Sequence, residues 1–324
     1  MKIIKAYADI IDDIEGEKIL KKIETVGRTC YKSEDKIEEG SAEKFVASLI
    51  KREHEAMLEH ATFIFEINVY AYSLLKREIT VFEEKECFKS YLRFTKEKRF
   101  VVSGNVRAWR DFLKIYYHYY GEVPFFMRKF VSENPILFPE FQNFPEIDVF
   151  DGCVNTFKQI YTNELVTLNE KYTHHDITVK FVTDRGITHE IVRHRPVSFA
   201  QESTRYCNYS KDKFNNELTF IKPDFFEYGS EGFELWKAQM EDAEMSYFAL
   251  IDVGCTAEKA RTVLPTSIKT ELIMTANLKE WRHFFKLRAC NTTGVAHPQM
   301  LEITRPLLDK FKELIAVIFD DINY

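Results

Sequence analysis

Apolar residues recur at the spacing of amphipathic helices in two stretches near the start of the chain. Residues 16–26 have this pattern, and so do the residues after Ser41, whose side chain we expect to cap the second helix. Residues 61–69 instead alternate between apolar and polar positions and are rich in aromatic side chains, which predicts a strand. The first 70 residues therefore have the pattern of a compact segment of helix and strand.

Similar patterns return from Asp176 onward. Residues 177–183 alternate as a strand, residues 184–186 form a predicted turn, and a short helix is expected from about Thr188 to His194. Pro196 is expected to end that helix, because proline cannot continue the hydrogen-bonded ladder. The remaining predictions are helices over residues 230–253, 256–261 and 301–319, a strand over residues 267–274, and a helix that Asn277 caps and that carries Trp281 to Arg288.

The middle of the chain has a different texture. Aromatic residues cluster between Tyr116 and Tyr120 and between Phe138 and Phe144, which we interpret as core or interface, and residues 151–171 are predicted to be helical. We therefore predict a catalytic domain made of residues 1–70 and 176–324, with an inserted, mostly helical subdomain over residues 71–175.

Composition narrows the class of protein. The chain has 324 residues, of which 45% are hydrophobic, and no apolar run approaches the ~20 residues that a membrane span needs. The first residues lack the apolar core of a signal peptide, so we expect a cytoplasmic protein with no membrane partner. A net charge of −6 argues against a general nucleic-acid binder. The six cysteines are scattered without a C-x-x-C pair, which favours reduced thiols over disulfides.

Residues 193–206 locally reverse the sign of this charge. Three arginines and His194 lie there among hydroxyl and amide side chains that suit a nucleotide. Guanidinium groups donate paired hydrogen bonds to phosphate oxygens, so the segment predicts a site for an anionic ligand. The alternative is a solvated basic surface, which is common but does not explain the interspersed neutral donors.

Other chemistries have weaker support. Cys207 beside the arginines suggests a thiolate nucleophile, and Ser203 would need an activating His–Asp arrangement that the sequence does not show. His54 and His60 flank carboxylates, but zinc proteases place two histidines four residues apart, so we predict no metal. No G-x-G-x-x-G motif is present, which leaves a Rossmann-type cofactor site unsupported.

Three separated blocks together resemble the flavin-dependent thymidylate synthases. The first is R-H-R, seven intervening residues and S at positions 193–203, and it continues as S-T-R-Y. The second is H-E-A-M-L-E-H at positions 54–60, which is similar to the family's H-E-x-x-x-E-H turn. The third runs from A-R-T-V-L-P at positions 260–265 to Arg288. The blocks occur in the family's order over residues 1–70 and 176–320.

The resemblance implies an α+β fold with a mixed or mainly antiparallel sheet flanked by helices. It also implies a homotetramer with active sites at subunit interfaces. The implied reaction is the reductive methylation of dUMP to dTMP, with methylenetetrahydrofolate as carbon donor and NADPH as the reductant of FAD. In such a reaction the flavin provides a hydride and no side chain acts as a nucleophile.

The resemblance also assigns site residues. The implied FAD site consists of Ala56, Glu59, Arg193, His194, Arg195, Gln201, Asn277, Lys279 and His283, the last three from another subunit. The implied dUMP site consists of Glu190, Arg193, Gln201, Glu202, Ser203, Thr204, Arg205, Arg261 and Arg288. Arg288 is the predicted catalytic residue, because the matching arginine contacts the uracil and favours its N3-ionised form. Taken alone, Arg261 has a plainer interpretation as a helix-terminal arginine that meets the helix dipole or a carboxylate.

Some positions depart from the family pattern. Ala56 stands where Ser or Thr is usual, and Gln201 stands where many members have Glu, although Glu202 is adjacent. Two rival hypotheses therefore stay open: a variant flavoenzyme that modifies C5 of a pyrimidine nucleotide, for example by hydroxymethylation, and a non-catalytic nucleotide-binding protein. In the middle segment, candidates for contacting a ligand's anionic tail are Asn105, Arg107 and Arg110, and the alternative is a subdomain that caps or extends the oligomer.

Overall fold

The computed structural model describes residues 1–11, 19–86, 91–143, 157–211, 214–292 and 294–324. Contacts divide the chain into two compact units. The first unit consists of Met1–Asp12, Val26–Asp35 and Ile177–Tyr324, and the second consists of Asp13–Thr25 and Lys36–Asp176. The compact units thus group residues 36–70 with the middle segment, and the division into a catalytic domain and an insertion stays a prediction.

The elements follow in chain order. The strands are β1 (Lys2–Ile4), β2 (Tyr7–Ile10), β3 (Thr62–Ile67), β4 (Arg93–Lys96), β5 (Phe100–Asn105), β6 (Phe157–Ile160), β7 (Asp176–Asp184), β8 (Ser198–Gln201), β9 (Thr219–Ile221) and β10 (Lys269–Asn277). The α-helices are α1 (Ile19–Tyr31), α2 (Ser41–Lys51), α3 (Val69–Glu86), α4 (Val106–Tyr120), α5 (Arg128–Glu133), α6 (Leu168–His174), α7 (Arg185–Ile191), α8 (Glu231–Asp252), α9 (Ala257–Ala260), α10 (Leu278–Arg288), α11 (Pro298–Leu314) and α12 (Ala316–Phe319). Short 3-10 segments include Glu55–His60 and Arg261–Val263.

A four-stranded sheet of order β2-β7-β10-β8 organises the first unit, with a separate parallel pair of β1 and β9. Strands β2 and β7 are antiparallel, and so are β10 and β8, which places Gln201 opposite Leu272. Strand β10 is buried along nearly its whole length. Helices α10 and α11 contribute an aromatic cluster in which the rings of Trp281 and Phe311 lie 5.0 Å apart. The predicted α+β class with antiparallel pairing is confirmed.

Capping side chains define several helix starts in this unit. Ser230 accepts a hydrogen bond from Phe233 N and starts α8, and Asn277 accepts one from Glu280 N and starts α10, both as predicted. The turn predicted at residues 184–186 is wrong, because Asp184 accepts a hydrogen bond from Ile187 N at 2.9 Å and caps α7. Helix α7 also ends at Ile191, so His194 lies outside the helix and Pro196 does not end it.

The second unit contains an antiparallel sheet of order β4-β5-β3-β6. Its core is largely aromatic: the rings of Phe65 and Phe157 lie 4.1 Å apart, and Trp109 and Phe130 pack edge-on against Phe65. Phe138 is also buried, as the interpretation of the aromatic runs expects. Three of the four strands lie in the middle segment, where the sequence patterns did not predict them.

Two local predictions in the second unit are wrong. The helix expected over residues 151–171 is replaced by β6 and by α6, which begins after its cap Thr167, while residues 151–156 lie outside the described residues. Ser41 does not cap α2, because Gly40 holds the cap position with a φ of 74°. The Ser41 hydroxyl instead donates to Glu24 Oε2 at 2.8 Å.

Across the described ranges of the chain, no helix is both long and apolar enough to cross a membrane. Within the same ranges, no group of three or more His, Cys, Asp or Glu side chains is arranged to hold a metal ion. Among the residues that the structure describes, Cys30, Cys207, Cys255 and Cys290 form no disulfide.

Candidate active site

Arg288, the last residue of α10, is held by three hydrogen bonds in the first unit. Its Nε donates to His194 Nε2 at 3.1 Å, Nη1 donates to Glu190 Oε2 at 3.1 Å, and Nη2 donates to the Glu190 carbonyl at 3.1 Å. Bonds from all three nitrogens fix both the position and the plane of the guanidinium group. Each terminal nitrogen retains a second hydrogen for a ligand.

This arrangement determines the protonation of His194. A guanidinium is always protonated and can only donate, so His194 Nε2 must accept, which places the imidazole proton on Nδ1 and leaves the ring neutral. Burial, followed by the charges of Arg288 and His283, lowers the pKa of His194 to about 4. The ring is 7% exposed and packs edge-on against Phe284 at 4.9 Å between centroids.

Arg193 and Arg195 flank this histidine and are exposed. Arg193 Nε donates to the His189 carbonyl at 3.3 Å, and Arg195 Nη1 donates to the Val192 carbonyl at 2.9 Å. Neither arginine has a carboxylate partner among the residues that the structure describes. Both therefore keep a full positive charge and unused N–H groups that can receive an anion.

Arg205 lies beside α9, where its Nε is 2.9 Å from Glu258 Oε1. Both side chains are about half exposed, and an exposed ion pair of this kind contributes only about 0–1 kcal/mol, so an anionic ligand can displace Glu258. Arg261 lies about one helical turn after Glu258, at the C-terminal end of α9, and is exposed. The described residues offer it no carboxylate partner, which leaves the helix-dipole interpretation and the phosphate interpretation open.

Gln201 and Glu202 have different surroundings. The Glu202 carboxylate is 2% exposed and accepts hydrogen bonds from Lys269 Nζ at 3.0 Å and from the Tyr209 hydroxyl at 3.2 Å. Gln201 is half-buried, and its amide nitrogen donates to the Thr188 hydroxyl at 2.9 Å. The structure therefore uses Glu202 within the protein and favours Gln201 as the residue that faces a ligand.

The turn after β8 orders the end of the R-H-R motif. Ser203 N donates to the Cys30 carbonyl at 3.1 Å, and the Ser203 carbonyl accepts from Cys207 N at 2.9 Å. Thr204 is buried, and Cys207 is 1% exposed within an apolar cluster with Met240. A buried thiol of this kind does not fit the nucleophile alternative.

The start of α10 carries the other implied flavin contacts of this unit. Asn277 uses its side-chain oxygen to cap the helix, while Lys279 and His283 are exposed. The His283 ring lies 6.0 Å from the His194 ring. The structure thus brings His283 and His194 close to Arg288. We call Arg288, Glu190, His194 and His283 the Arg288 cluster.

The H-E-x-x-x-E-H block belongs to the second unit and forms the 3-10 segment Glu55–His60. Ala56 is exposed there, and Glu59 accepts a hydrogen bond from Arg107 at 2.6 Å. Burial alone would raise the pKa of Glu55, but Lys114 and Arg110 together hold it below its usual range.

The middle-segment candidates for an anionic tail lie in different surroundings. Arg110 is 2% exposed and bonds to Glu55 at 3.1 Å and to Glu140 at 2.5 Å. Asn105 accepts from Ala108 N at 2.8 Å and caps α4, while Arg107 is exposed and pairs with Glu59. The buried and doubly paired Arg110 does not fit the expected ligand contact, and a ligand contact of Arg107 stays a prediction.

Comparison with known proteins identifies the family. The sequence model of the family described as thymidylate synthase complementing protein, Thy1, matches residues 14–79 and 168–315. The chain belongs to this family. The two matched ranges contain all three sequence blocks and leave out residues 80–167.

Curated Thy1 relatives share parts of this sequence. The flavin-dependent thymidylate synthase of Pyrococcus furiosus is 42% identical over 106 residues, which cover 33% of this chain and 43% of that protein. The protein of the same name from Geobacter sulfurreducens is 36% identical over 137 residues, 42% of this chain and 56% of that one. The chain therefore spans about half the length of these relatives.

A solved structure also aligns with the Thy1 chain over 99% of its length and 96% of the other chain. It is a UMP/dUMP methylase, PolB, from Streptomyces cacaoi with bound 5-Br dUMP, at 15% identity. The TM-score of this alignment is 0.42.

Sequence reasoning missed the residues that orient the motif. Thr188 and Thr270 hold the amide of Gln201, and Lys269 and Tyr209 hold Glu202. No local pattern marks these partners, because Thr270 and Lys269 approach the motif only through the pairing of β8 with β10.

Proposed function

We propose that this Thy1 protein is a flavin-dependent thymidylate synthase. The proposed reaction converts dUMP, methylenetetrahydrofolate, NADPH and a proton to dTMP, tetrahydrofolate and NADP⁺. The observation that carries the proposal is the Arg288 cluster, in which Glu190 and a neutral His194 fix the guanidinium group. One exposed arginine precedes that histidine in the sequence and another follows it. The names of the curated relatives support the same activity.

Arg288 is the proposed catalytic residue of this reaction. Its three hydrogen bonds restrict its motion, so the group does not need to reorganise when charge develops on a bound uracil. A fixed cation next to the ring favours the N3-ionised form of the pyrimidine. The Glu190 carboxylate partly offsets the positive charge of Arg288. In this proposal it also holds the guanidinium group in its orientation.

The cationic side chains of the motif suit two phosphate-bearing ligands. Arg205, Arg261 and the Ser203 hydroxyl are proposed to hold the 5′-phosphate of dUMP, after Arg205 leaves Glu258. Thr204 and Glu202 support that loop from within in this account. The proposal assigns no side chain as a nucleophile, and the burial of Cys207 agrees with this.

The donor set also fits FAD. Arg193 and Arg195 have exposed guanidinium groups whose hydrogen bonds go to main-chain carbonyls, so their remaining N–H groups can hold a pyrophosphate without a glycine-rich loop. A bound FAD supplies the hydride that the methyl group of dTMP requires. Ala56, Glu59, Asn277, Lys279 and His283 stay proposed flavin contacts, with active sites shared among the subunits of a homotetramer and a cytoplasmic location.

Turnover tests this proposal directly. The purified protein, supplied with FAD, is incubated without oxygen with dUMP, methylenetetrahydrofolate and NADPH, and the nucleotides are then separated. We expect dTMP in the wild type and a large loss of rate in Arg288→Met, with Arg282→Met as control because Arg282 lies on the same helix and pairs with Asp321. Absence of any product from a folded, flavin-bound protein rejects the proposal, and a hydroxymethyl product selects the variant flavoenzyme.

A further inference from the structure

The side-chain amide of Gln201 turns its nitrogen toward two threonine hydroxyls in this structure. The Thr188 hydroxyl has a single hydrogen, which it donates to the Arg185 carbonyl at 2.9 Å. With its hydrogen on the Arg185 carbonyl, the Thr188 oxygen accepts from the Gln201 amide nitrogen, which lies 2.9 Å away. This arrangement satisfies both hydroxyl lone-pair and hydrogen positions of Thr188.

The amide nitrogen is fully used in this position. Its two hydrogens point at the hydroxyl oxygens of Thr188 at 2.9 Å and Thr270 at 3.3 Å, and both threonines are buried. The Gln201 carbonyl oxygen Oε1 lies on the other side of the amide carbon and receives no hydrogen bond from the described part of the chain. A half-buried residue of the motif therefore keeps one acceptor with a fixed direction.

We propose that Thr188 is a positioning residue that fixes Gln201 so that its Oε1 accepts a hydrogen bond from a hydroxyl group of the bound nucleotide. The inference rests on the proposed function and deepens it. Thr188 lies on α7 two residues before Glu190, so the same short helix positions both Gln201 and Arg288.

The network also accounts for glutamine at this position. A glutamate at position 201 would need the Thr188 hydrogen to turn away from the Arg185 carbonyl, which it reaches at 2.9 Å. The loss of that hydrogen bond costs about 0.5–1.5 kcal/mol. Of the neighbours Gln201 and Glu202, only Glu202 is an acid. Its carboxylate accepts hydrogen bonds from Lys269 and Tyr209 inside the unit.

The test measures nucleotide discrimination by calorimetry. The probes are dUMP, its 3′-deoxy analogue and its N3-methyl analogue, which each lack one donor. We expect the wild type to bind the 3′-deoxy analogue about tenfold more weakly than dUMP, since a lost hydrogen bond to an oriented acceptor is worth about that much. Weaker binding of the N3-methyl analogue alone contradicts the inference, because that analogue keeps the hydroxyl group.

The variants separate positioning from stability. Thr188→Val removes the hydroxyl at constant size and is expected to lose the discrimination, whereas Thr188→Ser is expected to recover it. Thr178→Val is the matched control, because Thr178 is a buried threonine of the same unit whose hydroxyl lies 2.9 Å from that of Thr275. Gln201→Glu provides a second variant and is expected to bind dUMP about 2- to 13-fold more weakly, by the cost of turning the Thr188 hydroxyl.

Two results would overturn the inference while leaving the proposed function intact. One is a Thr188→Val protein that binds dUMP and discriminates as the wild type does. The other is a wild type that makes dTMP but binds the 3′-deoxy analogue as tightly as dUMP. A wild type that fails to bind dUMP at all rejects the proposed function together with the inference.

Discussion

Replacement of His194 by leucine is expected to slow turnover without unfolding the protein. Leucine fills most of the space of the imidazole but cannot accept the hydrogen bond that Arg288 Nε donates at 3.1 Å. A hydrogen bond to a charged group contributes about 1.5–3 kcal/mol, so kcat should fall about 10- to 150-fold if the guanidinium must hold its plane in the transition state. The KM for NADPH should change little, because the lost contact orients Arg288 and not the reductant.

His194→Gln provides the matched comparison, since an amide oxygen can accept from Arg288 without titrating. Initial rates of dTMP formation are measured for the three proteins at saturating substrates, with circular dichroism as the check on folding. The expected order of kcat is wild type, then glutamine, then leucine. A folded leucine variant whose kcat lies within about threefold of the wild type would refute the positioning argument.

Stability is also expected to depend on pH through His194. Its pKa is lowered to about 4 in the folded protein from an ordinary value of 6.5, mainly by burial. The unfolded chain therefore takes up the proton first as the pH falls. The contribution to the free energy of unfolding is complete above pH 6.5 and is lost as the pH falls toward about 4, by about 3 kcal/mol in total. Urea unfolding of the wild type and His194→Gln between pH 7 and pH 4.5 measures this difference, and identical pH dependence in both proteins contradicts it.

Two further variants test other parts of the structure. Burial and, after it, the charge of Asp224 raise the pKa of Glu302 to about 7, so the contribution of Glu302 to stability is present at low pH and is lost as the pH rises from about 4.5 through 7. Glu302→Gln should therefore raise the melting temperature at pH 8 but not at pH 5. An equal effect of the variant at both pH values contradicts this. Arg110→Met leaves the buried Glu55 carboxylate with Lys114 alone and should lower the free energy of unfolding by about 3–5 kcal/mol in urea titrations. Lys129 is exposed, and Lys129→Met should lower the free energy of unfolding by under about 1 kcal/mol. Similar losses in the two variants would contradict the importance of the buried network.

Helices with strong terminal signals were predictable from the sequence. Helix α8 begins after the cap residue Ser230 and ends just before Gly254, whose φ is 90°, and both ends follow from local chemistry. Helix α7 was misplaced because aspartate is favoured both in turns and as a helix cap, and only the bond from Ile187 N distinguishes the two roles at Asp184. Local patterns cannot decide between such alternatives.

Long-range pairing explains what the sequence could not show. Strands β5 and β6 are defined by their pairing with β3, whose residues lie tens of positions away in the chain. The same holds for the site: the motif predicted that Arg193 to Arg205 bind an anion, but not that Lys269 takes the carboxylate of Glu202. The orientation of Gln201 depends likewise on Thr270, which is supplied by a different strand.

The fate of the carbon unit tests the central claim most directly. Methylenetetrahydrofolate labelled with ¹³C in its methylene group is supplied with dUMP, FAD and NADPH, and the nucleotide product is analysed by mass spectrometry and NMR. The account predicts dTMP with the label in its 5-methyl group and one NADPH oxidised for each dTMP formed. Unlabelled dUMP as the sole nucleotide recovered, or label in a 5-hydroxymethyl group, would contradict it.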